Sequence, residues 1–103
     1  MALAENVAGT DGVNSIGHLR CAAKEGANLS DCIYEMLPKD GGEFTLRIAL
    51  PGGAVRYLYG KNGKITGTDS TSSMGSKRFA NKTVVHIQPG ELIEIPNSLI
   101  DPK

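Results

Sequence analysis

The sequence has little to offer either a polyanion or a catalyst. Eleven lysines and arginines face eleven aspartates and glutamates over 103 residues, a formal net charge of zero. No excess positive field is present to hold a phosphate backbone or an anionic membrane, so nucleic acid is not an expected partner. No apolar run approaches the roughly 20 residues that a membrane-crossing helix needs, and no membrane span is expected. Long helical periodicity is also missing, and with 13 glycines the chain reads as all-β and rich in turns. There is no G-x-S-x-G, no H-E-x-x-H, no P-loop and no dinucleotide fingerprint. The only histidines, His18 and His86, lie in no recognised motif, and nucleophilic catalysis needs a base beside its nucleophile. Asp69, Glu91 and Glu94 are the acids from which a carboxylate pair would have to be assembled, but scattered acids are what solubility alone requires. Neither an enzyme nor a cofactor or metal is expected.

What is present is strand periodicity, strongest over residues 43–68. Phe44, Leu46, Ile48 and Leu50 fall on one face and Glu43, Thr45 and Arg47 on the other, the period of two of a half-buried strand. Pro51-Gly52-Gly53 turns the chain. Val55, Tyr57 and Tyr59 then alternate with Arg56 and Leu58, and Asn62-Gly63 is a pair suited to a type I′ hairpin. Further strands are expected over residues 16–23, 33–37, 64–68, 82–88 and 92–95, the last ended by Pro96. Leu99 and Ile100 are expected to tuck against an open edge of the sheet. The expected fold is all-β, an antiparallel meander forming a small sandwich or partly closed barrel of about eight strands. Residues 1–15 read as a flexible leader and residues 16–103 as a single β domain.

Two features bear on the compartment. Ala2-Leu3-Ala4 is the small-x-small pattern that precedes a signal-peptidase cut. The leader is therefore expected to be a signal-peptide remnant behind an added Met1; the alternatives are an ordinary cytosolic start or residues contributed by a vector. Cys21 and Cys32 are the only cysteines and both lie in strand-like segments, so a disulfide is expected, which persists only in an oxidising compartment. Free buried thiols, or a zinc site with His18, Cys21, Cys32 and His86, remain the alternatives at this point.

Residues 69–77, DSTSSMGSK, hold four serines, a threonine and one apolar side chain. Such a stretch cannot fill a core, and it is expected to be an exposed, mobile loop on a rigid sheet, an arrangement used for recognition. Its serine hydroxyls, with Lys77 and Arg78, are suited to donate into a cleft lined by carboxylates, where charge-assisted hydrogen bonds are about twice as strong as neutral ones.

The LRCA segment, Asp31-Cys32, the YLYGKNGKITGTDS hairpin and the ELIEIPNSLI ending together resemble a group of small exported proteins of Gram-negative bacteria. The shared parts are Pro51, Gly53 and Arg56, then Asn62-Gly63-Lys64, then Glu91, Ile95-Pro96-Asn97 and Ile100, over about residues 18 to 100. That resemblance implies a periplasmic β domain and no particular activity. More distantly, Ser73 to Phe79 is similar to the S-G-x-K/R-Y motif of the periplasmic inhibitors of c-type lysozyme, although Met74 stands where the motif has serine and the aromatic falls one place late. It implies partner-binding roles for Ser73, Ser76, Lys77 and Arg78. The expected function is a periplasmic or secreted binding protein that inhibits a peptidoglycan hydrolase, a lysozyme or a rival's amidase, by inserting this loop. The alternative is a non-inhibitory structural or envelope-assembly domain that uses its sheet edge.

Overall fold

Alternating side chains build each strand, and the buried set decides which way the strand faces. A computed structural model describes residues 15–101. The strands are β1 (Ser15–Ala22), β2 (Ser30–Pro38), β3 (Glu43–Ala49), β4 (Val55–Lys61), β5 (Lys64–Thr68), β6 (Met74–Arg78), β7 (Lys82–Ile87) and β8 (Glu91–Pro96), followed by a short helix α1 (Asn97–Ile100). All pairings are antiparallel, in the single-sheet order β5-β4-β3-β2-β1-β8-β7-β6. The first five strands form one meander and the last three another. They are joined where Arg20, Cys21 and Ala22 of β1 face Glu94, Ile93 and Leu92 of β8. The sheet curls into a nearly closed barrel whose edge strands, β5 and β6, are consecutive in the chain. Of the two expected forms, the barrel is the one found. The leader expected over residues 1–15 lies outside the described residues apart from Ser15, which pairs with Met36.

Because strand direction alternates, the connections gather at two ends. Residues 23–29, 50–54, 69–73 and 88–90 form the upper end, and residues 39–42, 62–63 and 79–81 with α1 form the lower. At the lower end Asn62 and Gly63 both take positive φ, 52° and 84°, as a two-residue type I′ turn requires.

The core is drawn from both meanders. Leu46, Ile48, Leu58 and Ile65 pack with Val85, Ile87, Ile93 and Ile95, with Leu19, Cys21, Cys32 and Met36 between them. Strand β4 faces opposite to what its hydropathy favours: Leu58 is fully buried, while Val55 and Tyr59 are exposed. The reason lies in the neighbouring strand, because Phe44 pairs with Gly60 and its ring occupies the space a Cβ at Gly60 would need. Gly17 is covered in the same way by the ring of its partner Tyr34, and this burial raises the Tyr34 phenol pKa. Ile100 enters the core beneath β7 and β8 rather than lying on an open edge. Beside it, buried Asn97 accepts a hydrogen bond from the Thr83 hydroxyl at 2.7 Å and donates to the Phe79 carbonyl at 3.0 Å, tying the 79–81 turn to the end of β8.

Cys21 and Cys32 are bonded, with Cα atoms 6.0 Å apart. Cys21 faces Ser30 and Cys32 faces Leu19, so the bond runs diagonally across the buried face of β1 and β2. It removes the zinc and free-thiol alternatives.

Two stability predictions follow from this packing. Reducing the disulfide opens a loop of 11 residues' separation, and a chain-entropy estimate puts the loss at about 3 kcal/mol; denaturant midpoints with and without reductant measure it, and equal midpoints would refute it. Gly60→Ala is expected to cost about 1–3 kcal/mol through overpacking against Phe44. Gly75→Ala, where a Cβ meets nothing within 4 Å, should change the midpoint far less.

Candidate functional site

The stretch expected as one mobile loop divides into a five-residue connection, residues 69–73, and the edge strand β6. The correction has a physical cause. An edge strand beside an open seam buries little on either face, so β6 shows no alternation of apolar and polar residues; Met74 alone packs against the core.

The connection is tied down along its length. Asp69 donates its N–H to the Tyr57 carbonyl at 3.2 Å, Ser70 N–H donates to the Thr68 hydroxyl at 3.4 Å, and Ser72 N–H to the Ser70 hydroxyl at 3.0 Å. Ser73 accepts from the Gln88 N–H at 3.0 Å. Short side-chain-to-backbone bonds of this kind are what serine and threonine supply to irregular chain. Of the serines that suggested recognition, Ser70 thus lends its hydroxyl to the connection's own shape.

Its anchor is an ion cluster across the upper mouth of the barrel. Arg56, on the inward side of β4, donates from Nε to Glu91 Oε1 at 2.7 Å and from Nη2 to Glu91 Oε2 at 2.6 Å, and from Nη1 to Asp69 Oδ1 at 2.9 Å. Strands β4 and β8 are not neighbours in the sheet, so this bidentate pair spans the interior. The Arg56 and Glu91 side chains are 18% and 13% exposed. The Glu91 hydrogen bonds are the main cause that lifts the Arg56 pKa well above its ordinary value; burial opposes them and Asp69 adds to them. For Asp69 burial is the largest single influence and pushes its carboxyl up, but the bonds from Arg56 and from the Tyr57 N–H together outweigh it and hold the carboxyl below the usual range. Arg56 and Glu91 were both legible as shared motif residues. What was not legible is that residues 35 apart in sequence meet.

The four expected partner-binding residues are not gathered at a loop tip. Ser73 sits at the upper end, and Ser76, Lys77 and Arg78 run down β6 toward the lower end; all four are exposed. Ser76 faces Val85 and Arg78 faces Thr83, residues of the buried face, whereas Lys77 faces Val84 on the outer one. Ser76 and Arg78 therefore share a face and Lys77 points to the other, with its Nζ 5.4 Å from the centre of the Phe79 ring. Arg78 donates to the Gly63 carbonyl at 3.1 Å and pairs with Asp101 at 2.9 Å, contacts that raise the Arg78 pKa and lower that of Asp101.

The remaining candidates are held elsewhere. Glu94 pairs with Lys82 at 3.3 Å, and His18 Nδ1 lies 2.7 Å from Asp31 on the outer face. His86 lines an upper-end cleft of about 310 Å³ with Lys24, Glu25 and Leu92. Among the described residues no group of three or more His, Cys, Asp or Glu side chains is placed to hold a metal ion. No described helix is long and apolar enough to cross a membrane. Comparison with protein-family models, with curated proteins and with solved structures gives no match.

The Asp69 carboxyl carries a pH prediction. Its folded-state value is depressed, so its contribution to stability is full at neutral pH and is lost as pH falls through that value, below about pH 4. Asp69→Asn should lower stability at neutral pH and flatten the acid-side loss. Urea midpoints from neutral pH down to about pH 3 test this, and parallel curves for the variant and the parent would show that the Arg56–Asp69 contact contributes nothing.

Proposed function

We propose that this is a protein-recognition domain of the Gram-negative periplasm that occludes a peptidoglycan hydrolase. The observation that carries the reading is an exposed edge strand, bearing Ser76, Lys77 and Arg78 with Ser73 at its upper end, on a barrel stapled by a disulfide. The disulfide fits an oxidising compartment, and the resemblance of the Ser73 to Phe79 stretch to lysozyme-inhibitor motifs supports the target class. The mode differs from an inserted loop. With Ser76 and Lys77 on opposite faces, a narrow cleft cannot take both side chains head-on, so the partner's acidic surface lies along the edge. An envelope-assembly domain would use the same free edge without inhibiting anything.

Mixing the purified chain with lysozymes and peptidoglycan amidases and following cell-wall lysis separates the two readings. Inhibition of at least one enzyme is expected; lysis unaffected across the panel would leave the non-inhibitory reading. Lys77→Ala should weaken binding to the inhibited enzyme by about 1–3 kcal/mol through loss of a charge-assisted bond. It should shift stability by under about 0.5 kcal/mol, because the site is exposed.

A further inference from the structure

Strand β6 is hydrogen-bonded on one side only. The Gln88 N–H donates to the Ser73 carbonyl at 3.0 Å and the Phe79 N–H to the Lys82 carbonyl at 2.7 Å, so the backbone groups of Ser73, Gly75, Lys77 and Phe79 face β7. By the alternation of an antiparallel ladder, the N–H and C=O groups of Met74, Ser76 and Arg78 face the other way, toward β5. No ladder joins β5 to β6, and these groups have no backbone partner among the described residues. The seam is spanned at its upper end by residues 69–73. At its lower end it is bridged by a side chain, Arg78, which reaches Gly63 on one side and Asp101 on the other.

The surroundings of the seam are cationic. Lys64 and Lys77 are exposed, and neither has a carboxylate partner among the described residues. A Cβ at Gly75 would meet nothing within 4 Å, so the outer face of β6 is uncovered at that position. A second copy of β6 would bring the same cations to the edge, whereas an acidic segment neutralises them.

We infer that the seam takes an extended, carboxylate-bearing segment of a partner protein, which adds as a further strand to the free edge of β6. The inference rests on the protein-recognition reading above and assigns its mode. Main-chain bonds to Met74, Ser76 and Arg78 hold the added strand, and its alternate side chains supply the specificity. One partner carboxylate displaces Asp101 from Arg78, and others meet Lys64 and Lys77.

The test uses the full chain and a displayed library of random dodecapeptides. Selected peptides should be enriched in aspartate and glutamate on both faces of the added strand, since Lys77 and Arg78 point to opposite ones. A synthetic copy of the strongest should slow amide exchange at Ser76 and Arg78 in the unaltered chain. Ser76→Pro removes one seam-facing N–H and leaves the β7 ladder intact, since proline is tolerated where an edge N–H faces outward; it should weaken the peptide about tenfold. Asp101→Asn should bind more tightly because Arg78 is released. A library that yields no binder, peptides without acidic enrichment, or unchanged affinity in Ser76→Pro each overturns the inference. Concentration-dependent self-association that protects the same amides overturns it in favour of a second copy as occupant. Hydrolase inhibition retained by Ser76→Pro when no peptide binds the unaltered chain removes strand addition and leaves the inhibitor reading standing. Peptide binding as expected with no hydrolase inhibited does the reverse.

Discussion

Three residue pairs between β1 and β8 decide that this chain has one core. Arg20, Cys21 and Ala22 opposite Glu94, Ile93 and Leu92 are the only ladder, among the described residues, that links the first five strands to the last three. Without it, each meander would present a bare apolar face, Leu46, Ile48 and Leu58 on one and Val85, Ile87, Ile93 and Ile95 on the other. Burying a large aliphatic side chain is worth about 1.5–3 kcal/mol, so joining the two faces outweighs what three ladder pairs supply by themselves. The disulfide sits at this junction, because Cys21 is both the centre of the ladder and the partner of Cys32 on β2. The Arg56–Glu91 pair ties β4 to β8 across the upper mouth, a second link between the two meanders.

The same topology leaves its edges where chain continuity makes them cheap to leave. Strands β5 and β6 are joined by five residues, and the connection is fixed by the Thr68 and Ser70 hydroxyls and by Asp69. An unpaired edge normally invites aggregation, and lysine or arginine on it is a common safeguard. Lys77 and Arg78 fit that role in the free protein. A cationic edge repels further cationic edges and admits acidic chains, so protection and recognition are compatible uses of the same side chains.

The strands that bury a face were legible in the sequence, because the pleat forces Phe44, Leu46 and Ile48 inward together and Thr83, Val85 and Ile87 likewise. The strand that buries almost nothing was not, since periodicity reports burial and β6 has only Met74 to bury. On β4 local hydropathy misled: Tyr57 and Tyr59 look like the core set, but Phe44 on the neighbouring strand leaves room inward only for Gly60. The cysteine pairing was readable from count and placement, whereas the Arg56, Asp69 and Glu91 cluster was not, because nothing in a linear sequence says which charges face the inside of a barrel. The four residues singled out for binding were correctly placed on the surface and wrongly grouped, as a strand distributes to opposite faces what a loop tip would gather.

The two rings lying over glycines, Tyr34 on Gly17 and Phe44 on Gly60, also act as keys for alignment. Sliding a hairpin by one residue would turn its apolar face to water, but sliding it by two keeps every face and is the error that patterning alone does not forbid. Such a slip would set the Tyr34 ring against Ser15 or Leu19, and the Phe44 ring against Leu58 or Asn62, each with a side chain where the glycine leaves space. Each of the β1–β2 and β3–β4 hairpins therefore carries one position at which only a single alignment fits.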